Sequence, residues 1–108
     1  MEQYNVILTD DAGIDLTVIK NYIADTLKAP ETAMKYIQGL RKQILKLETL
    51  PAAYTIVPDE PWHSREIRRI LFKNFFIYYR IDEKSKSVYI LHVIYSKRNQ
   101  LNALSEYK

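Results

Sequence analysis

The chain is expected to fold as α+β, an antiparallel two-helix hairpin packed on a small, mainly antiparallel twisted sheet, in the order β-α-α-β-β-β. Three observations predict this. Two consecutive segments carry apolar residues three and four apart, with Ala29-Pro30 between them. The last third of the chain holds three β-branched and aromatic runs joined by short polar turns. A short apolar run precedes the helices and has no breaker inside it. Residues 1–108 show no internal repeat, linker or low-complexity stretch, so one domain is expected, at a length that supports one core.

Tyr4-Asn5-Val6-Ile7-Leu8-Thr9 reads as the first strand. Asp10 and Asp11 follow it, and either carboxylate suits the free N–H groups of a helix start. Leu16, Ile19, Ile23 and Leu27 then form one stripe with Tyr22 beside it, which predicts an amphipathic helix of about four turns. Pro30 and Glu31 fit the first turn of a second helix, where a missing N–H costs nothing and a negative charge faces the positive helix end. Ala33, Ile37, Leu40, Ile44 and Leu47 line its apolar face, and Leu50-Pro51 ends it. Gly39 costs ~1 kcal/mol relative to alanine inside a helix, and a close helix–helix approach would explain it.

Residues 51–64 form the one long irregular stretch, with Trp62 expected to anchor a lid over the core. Strands are expected at Ile67–Phe72, Phe75–Asp82 and Val88–Ser96, joined by Lys73-Asn74 and by Glu83–Ser87. In the middle strand Phe75, Ile77, Tyr79 and Ile81 share the face expected to be core. Phe76, Tyr78 and Arg80 share the other, a mixture of apolar, phenolic and cationic groups.

Charge is unevenly placed. Residues 1–62 carry 6 basic and 9 acidic side chains, whereas residues 63–98 carry 9 basic and 3 acidic. The basic part points either to a polyanion or acidic protein as partner or to a plain solvated surface, and charge alone does not decide. The absence of cysteine excludes disulfides, thiolate metal sites and a cysteine nucleophile, and suits a cytoplasmic protein. No apolar run approaches ~18 residues, so no membrane span is expected, and the first residues lack the form of a secretory signal. With only Gly13 and Gly39 there is no phosphate-binding glycine loop, and His63 and His92 lack metal-ligand spacing. No cofactor, metal or small-molecule ligand is expected.

The remaining candidates are cationic and aromatic. Arg65, Arg68 and Arg69 open the meander, Arg80 lies in its middle strand, and Lys97-Arg98 follows its last. In an antiparallel meander Lys97 and Arg98 fall near Lys73, Asn74 and Phe76. Such a cluster, with Tyr78, Tyr95 or Tyr107 beside it, could hold phosphates while rings stack on bases. His63, beside Trp62 and Arg65, is a candidate general acid or base, or simply an exposed loop histidine. His92 reads as a hydrogen-bonded sheet residue.

The order of elements, the helical LKLETLP, the basic REIRRILFKN and the paired stretches NFFIYYRIDEKSKSVYILHVIYSKRNQL resemble the RelE/ParE superfamily of bacterial type II toxins across nearly the whole chain. The resemblance implies a growth-inhibiting toxin of a plasmid-stabilisation type of module, held inactive by an acidic antitoxin in a hetero-oligomer. It also implies one of two targets. RelE-type members cut mRNA on the ribosome without a metal, and for that activity the resemblance points to Arg98, Lys97, Arg69, Tyr107 and His63. An arginine of that branch, just after the middle strand's opening turn, is Phe76 here. ParE-type members bind DNA gyrase and need no catalytic set. A third implication is a divergent toxin-like protein that retains only antitoxin binding. For contact with antitoxin or target the expected residues are Arg65, Arg68, Arg69, Phe76, Tyr78, Arg80, Tyr95 and Arg98.

Overall fold

The computed structural model describes residues 3–96 of the chain. Strand β1 (Asn5–Leu8) leads into helix α1 (Asp10–Asn21), which widens into a π-helical turn at Tyr22–Thr26. Helix α2 (Pro30–Leu45) tightens into a 3-10 turn at Lys46–Glu48. Strands β2 (Arg68–Phe72), β3 (Phe75–Asp82) and β4 (Ser87–Tyr95) complete the fold. The four strands lie in the order β1-β4-β3-β2, with β1 parallel to β4 and the other pairs antiparallel. This is the expected α+β architecture. Among the described residues no helix is long and apolar enough to cross a membrane.

Several local features differ from expectation for identifiable reasons. The cap of α1 is Thr9, not Asp10 or Asp11. Its hydroxyl accepts from the Ala12 N–H at 3.3 Å and donates to the Ile90 carbonyl at 2.6 Å, which ties the helix start to β4. The two aspartates occupy the first turn instead, where they still complement the helix dipole. The apolar stripe of α1 stops early. Leu16 and Ile23 are buried, but the wider π turn breaks the four-residue rhythm, and Leu27 and Tyr22 are exposed. Lys28, at φ 54°, turns the chain into α2, with the Ala29 N–H on the Ile23 carbonyl.

All five residues of the α2 stripe, from Ala33 to Leu47, are buried. Gly39 faces the sheet rather than α1. A Cβ there would meet the Phe72 ring at 2.2 Å, so the close approach is helix to strand.

The sheet is covered on both sides. The α1–α2 face packs Ala12, Leu16, Ile37, Leu40 and Ile44 onto Ile70, Ile77, Tyr79, Val88, Ile90 and Val93. On the opposite face Val57, Trp62 and Ile67, from the segment before β2, pack on Tyr78, Leu91 and Ile94. Trp62 does anchor this lid. The segment is fixed further by an antiparallel bridge between Ile56 and Arg68. Between β3 and β4 the register shifts at Tyr78/Tyr79, where Tyr78 pairs with His92 and Tyr79 with Ile90. Leu91 is therefore an extra residue on β4, and the alternation of its side chains reverses beyond it.

Candidate interaction face

The second sheet face carries the basic groups in a definite arrangement. Arg69 of β2 pairs in register with Tyr78 of β3, and its guanidinium lies 4.4 Å from the centre of the Phe76 ring. Arg80, two residues beyond Tyr78, lies 5.2 Å over the ring of Tyr89 on β4. Arg65, from the lid, lies 5.3 Å over Trp62. Phe76, Tyr89 and Trp62 all belong to or pack against the same apolar cluster. Three guanidiniums thus rest on three aromatic rings around one side of the sheet, a geometry in which the ring quadrupole attracts the cation.

Tyr78 itself is fully buried beneath the lid, so it offers no ring to a base or a partner, contrary to expectation. Its burial pushes the phenol above its ordinary pKa, and the hydrogen bond and charge of Arg69 oppose that shift. The reason is packing: Val57, Trp62 and Ile67 need an apolar floor, and Tyr78 provides its centre. Arg68 is turned toward the backbone of the preceding segment. Its Nη1 donates to the Tyr54 carbonyl at 2.6 Å and the Ala52 carbonyl at 3.4 Å, so it holds the segment before the lid. Beside it the Tyr79 hydroxyl donates to the Pro51 carbonyl.

His63 is on the lid and is exposed, with Nδ1 3.1 Å from the Val57 carbonyl. Tyr95 lies elsewhere. Its ring packs edge-on to Phe75 at 5.8 Å on the helical side. There it borders a groove of about 780 Å³ between the hairpin and the sheet, lined by Val18, Tyr22, Leu27, Tyr36 and Phe75 among others. Lys97, Arg98 and Tyr107 lie outside the described residues. The Ser96 N–H bonds the Asn74 carbonyl at 2.7 Å, so β4 ends beside the Lys73-Asn74 turn as the meander requires.

Two ring partners were not anticipated as such. Tyr89 was legible from the hairpin, because a turn closed by Asp82 and Ser87 places Tyr89 opposite Arg80. The pairing of Arg65 with Trp62 depends on the lid's path and had no signal beyond proximity in sequence. A separate polar link joins the helices to the sheet: the Asp15 Oδ2 accepts from the Val93 N–H at 3.0 Å and lies 2.8 Å from His92 Nδ1. His92 is thus hydrogen-bonded in the sheet as expected. Among the described residues no group of three His, Cys, Asp or Glu side chains is placed to hold a metal.

A family model described as ParE toxin of type II toxin–antitoxin system, parDE, matches residues 6–100. The chain belongs to the ParE toxin family. Solved structures with a similar fold include the following three. In a chromosomal ParDE toxin–antitoxin system from P. aeruginosa, a chain is 22% identical with TM-score 0.72, over 88% of this chain and 98% of that one. In the RelBE2 toxin–antitoxin complex from Mycobacterium tuberculosis the identity is 20% and the TM-score 0.63, over 86% and 98%. A mutant of the E. coli toxin RelE in the free state gives 10% and 0.62, over 94% and 92%. Curated protein sequences gave no significant match. This ParE-family chain is therefore a RelE/ParE superfamily toxin in sequence and fold.

Proposed function

We propose that this ParE-family toxin is neutralised by an acidic antitoxin that binds its basic aromatic face, and that when released it inhibits growth by binding DNA gyrase in the cytoplasm. The observation that carries the choice of target is the occupation of the basic face. Phe76 stands where a cleaving relative would present an arginine, and the neighbouring Arg69 is stacked on its ring. Arg68 is committed to backbone carbonyls and His63 sits against the Val57 carbonyl. Nuclease catalysis of the RelE type needs cations converging on the scissile phosphate, where each can supply several kcal/mol of transition-state stabilisation. Guanidiniums spread over three separate rings instead suit a broad anionic protein surface, where complementary charge speeds association and fixes register. The antitoxin assignment follows from the family and from the toxin–antitoxin assemblies in which similar chains occur.

The test is induction of the chain without its antitoxin, with translation and DNA damage followed in parallel. A DNA-damage response with intact messages is expected, together with inhibition of purified gyrase. Rapid translation arrest with cleaved messages would overturn the gyrase reading in favour of an endoribonuclease. An absence of any growth defect would leave an antitoxin-binding protein without toxicity.

A further inference from the structure

Helix α2 meets the sheet with Ala33, Ile37, Leu40 and Ile44 and turns a different set of side chains to solvent. Lys35, Arg41, Lys42 and Lys46 are all exposed. At 3.6 residues per turn Lys35, Lys42 and Lys46 fall within ~20° of one line, opposite the buried stripe, in a row ~16 Å long. Residues 1–62 are acidic as a whole, with 6 basic and 9 acidic side chains. Yet four of those six cations are on this one surface, and no carboxylate occurs between Glu31 and Glu48. Among the described residues none of the four has a side-chain ion pair or ring contact, whereas Arg65, Arg69 and Arg80 each lie over a ring. A solvated helix face ordinarily mixes signs, because a like pair four apart, such as Lys42 and Lys46, is destabilising. The helix dipole favours cations in the last turn, which accounts for Lys46 but not for Lys35 in the second turn.

We infer that the outer face of α2 binds the phosphate backbone of duplex DNA, independently of its sequence. Charge complementarity calls for an anion, and the residue types choose among anions. Lysine is depleted from protein–protein interfaces, whereas non-specific DNA binding rests on lysine and arginine against phosphate. The ammonium is a hydrated point charge on a flexible stem, suited to phosphates at unequal distances rather than to a fixed carboxylate. Each strand of B-DNA presents a phosphate every ~3.4 Å along its axis, so a helix laid along one backbone offers every lysine of the row a partner. An acidic protein would need apolar anchors as well. Met34 and Leu45 are 49% and 58% exposed, but ~16 Å of helix with Gln38 and Arg41 separates them, so they form no continuous patch. A membrane takes a basic amphipathic helix through its apolar side, and that side of α2 already covers the sheet. No aromatic side chain stands in the row to stack unpaired bases, which selects a duplex over a single strand. Because α2 and the guanidinium–ring face lie on opposite sides of the sheet, an antitoxin on that face leaves the lysine row open.

The test titrates the full-length chain into a labelled duplex of about 20 base pairs, read by fluorescence anisotropy between ~50 and ~200 mM salt. Neutralising three or four phosphates gives an expected slope of about −3 in log K against log salt concentration, with micromolar affinity at the low end. Duplexes of unrelated sequence should bind alike. Lys35→Gln/Lys42→Gln/Lys46→Gln keeps helix propensity and is expected to weaken binding at least ~10-fold, flattening the slope by ~0.9 for each lysine. Lys20→Gln/Lys28→Gln/Lys84→Gln removes the same charge from exposed positions elsewhere and should bind within about 2-fold of the parent. Circular dichroism establishes that each variant is folded. Should the triple α2 variant unfold, Lys42→Gln alone decides, by a slope flatter by ~0.9. DNA contact at α2 is overturned by a parent chain that does not bind duplex at ~50 mM salt, or by a charge-matched control that loses as much as the α2 variant. Tighter binding to a single strand of equal length also overturns it. So does an α2 variant that weakens antitoxin binding with duplex binding unchanged, which would assign the row to an acidic protein. Capture of the parent by phosphatidylserine vesicles without duplex binding would assign it to a membrane. Gyrase is absent from every arm, so failure here leaves the choice of gyrase as target untouched.

Discussion

Replacing Gly39 by alanine tests the close approach of α2 to the Phe72 ring on β2. An added Cβ would lie 2.2, 2.9 and 3.0 Å from three atoms of the Phe72 ring, against an ordinary contact distance of 3.4–4 Å. Relief requires the ring to swing or α2 to lift by more than ~1 Å, and Leu40, fully buried beside Gly39, resists the lift. Alanine gains ~1 kcal/mol of helix propensity over glycine. Overpacking costs about 1–3 kcal/mol, and three clashing atoms place this site at the upper end. The expected net loss is about 2 kcal/mol, read by urea unfolding, or a drop of roughly 10 °C in Tm. In the background of Phe72→Leu the alanine should be tolerated, with a coupling of at least ~1 kcal/mol between the two sites. Gly39→Ala that matches or exceeds the parent in stability, or effects that simply add, would refute the helix-to-strand explanation.

Asp15→Ala removes the acceptor for the Val93 N–H and the partner of His92 Nδ1; a loss of about 1–2 kcal/mol is expected, with faster hydrogen exchange at the Val93 amide. Arg80→Ala should weaken antitoxin binding and flatten its salt dependence without changing the unfolding midpoint, because Arg80 is exposed on Tyr89. Arg69→Ala should lower both affinity and stability, since it also uncovers Phe76 and removes a hydrogen bond to the Tyr78 phenol. Burial holds the phenols of Tyr78 and Tyr79 above their ordinary range, so above about pH 10 the folded chain keeps protons that the unfolded chain releases. Stability is therefore expected to be insensitive to these groups below that pH and to fall as pH rises beyond it. Phenolate absorbance of the two tyrosines should appear only with unfolding.

Most of the fold was legible because its signals are periodic. The α2 stripe, the meander and the division of β3 into two faces all follow from spacings that burial enforces. What was not legible depends on tertiary geometry. The cap at Thr9 is chosen by the nearby Ile90 carbonyl, 81 residues away, and the π turn at Tyr22–Thr26 has no period of its own. Gly39 reads in the sequence as a cost to the helix, but its partner on β2 depends on how α2 crosses the sheet. The basic face was visible as composition, whereas the assignment of each arginine was not. Arg68 and Arg69 are adjacent in sequence, yet strand alternation sends one to backbone carbonyls and the other to an aromatic ring.

That division bears on how the face would work. A long cationic side chain in water loses rotamer freedom when a partner fixes it, a cost of ~0.5–1.5 kcal/mol per side chain. Arg69 and Arg80 already lie over Phe76 and Tyr89, so part of that ordering precedes binding. Their stacked stems also cover apolar surface while leaving the charge accessible at the rim. Removing the charge at Arg80 should therefore slow association, whereas removing the ring at Tyr89 should speed dissociation by releasing the guanidinium from its platform. Tyr89→Leu retains the apolar contact and the charge of Arg80 but deletes the ring quadrupole. A preorganised face predicts that Tyr89→Leu leaves the salt dependence of antitoxin association intact and raises the dissociation rate. Stopped-flow kinetics that showed the reverse partition would mean that Arg80 acts through long-range charge alone, and that its stacking on Tyr89 contributes nothing to recognition.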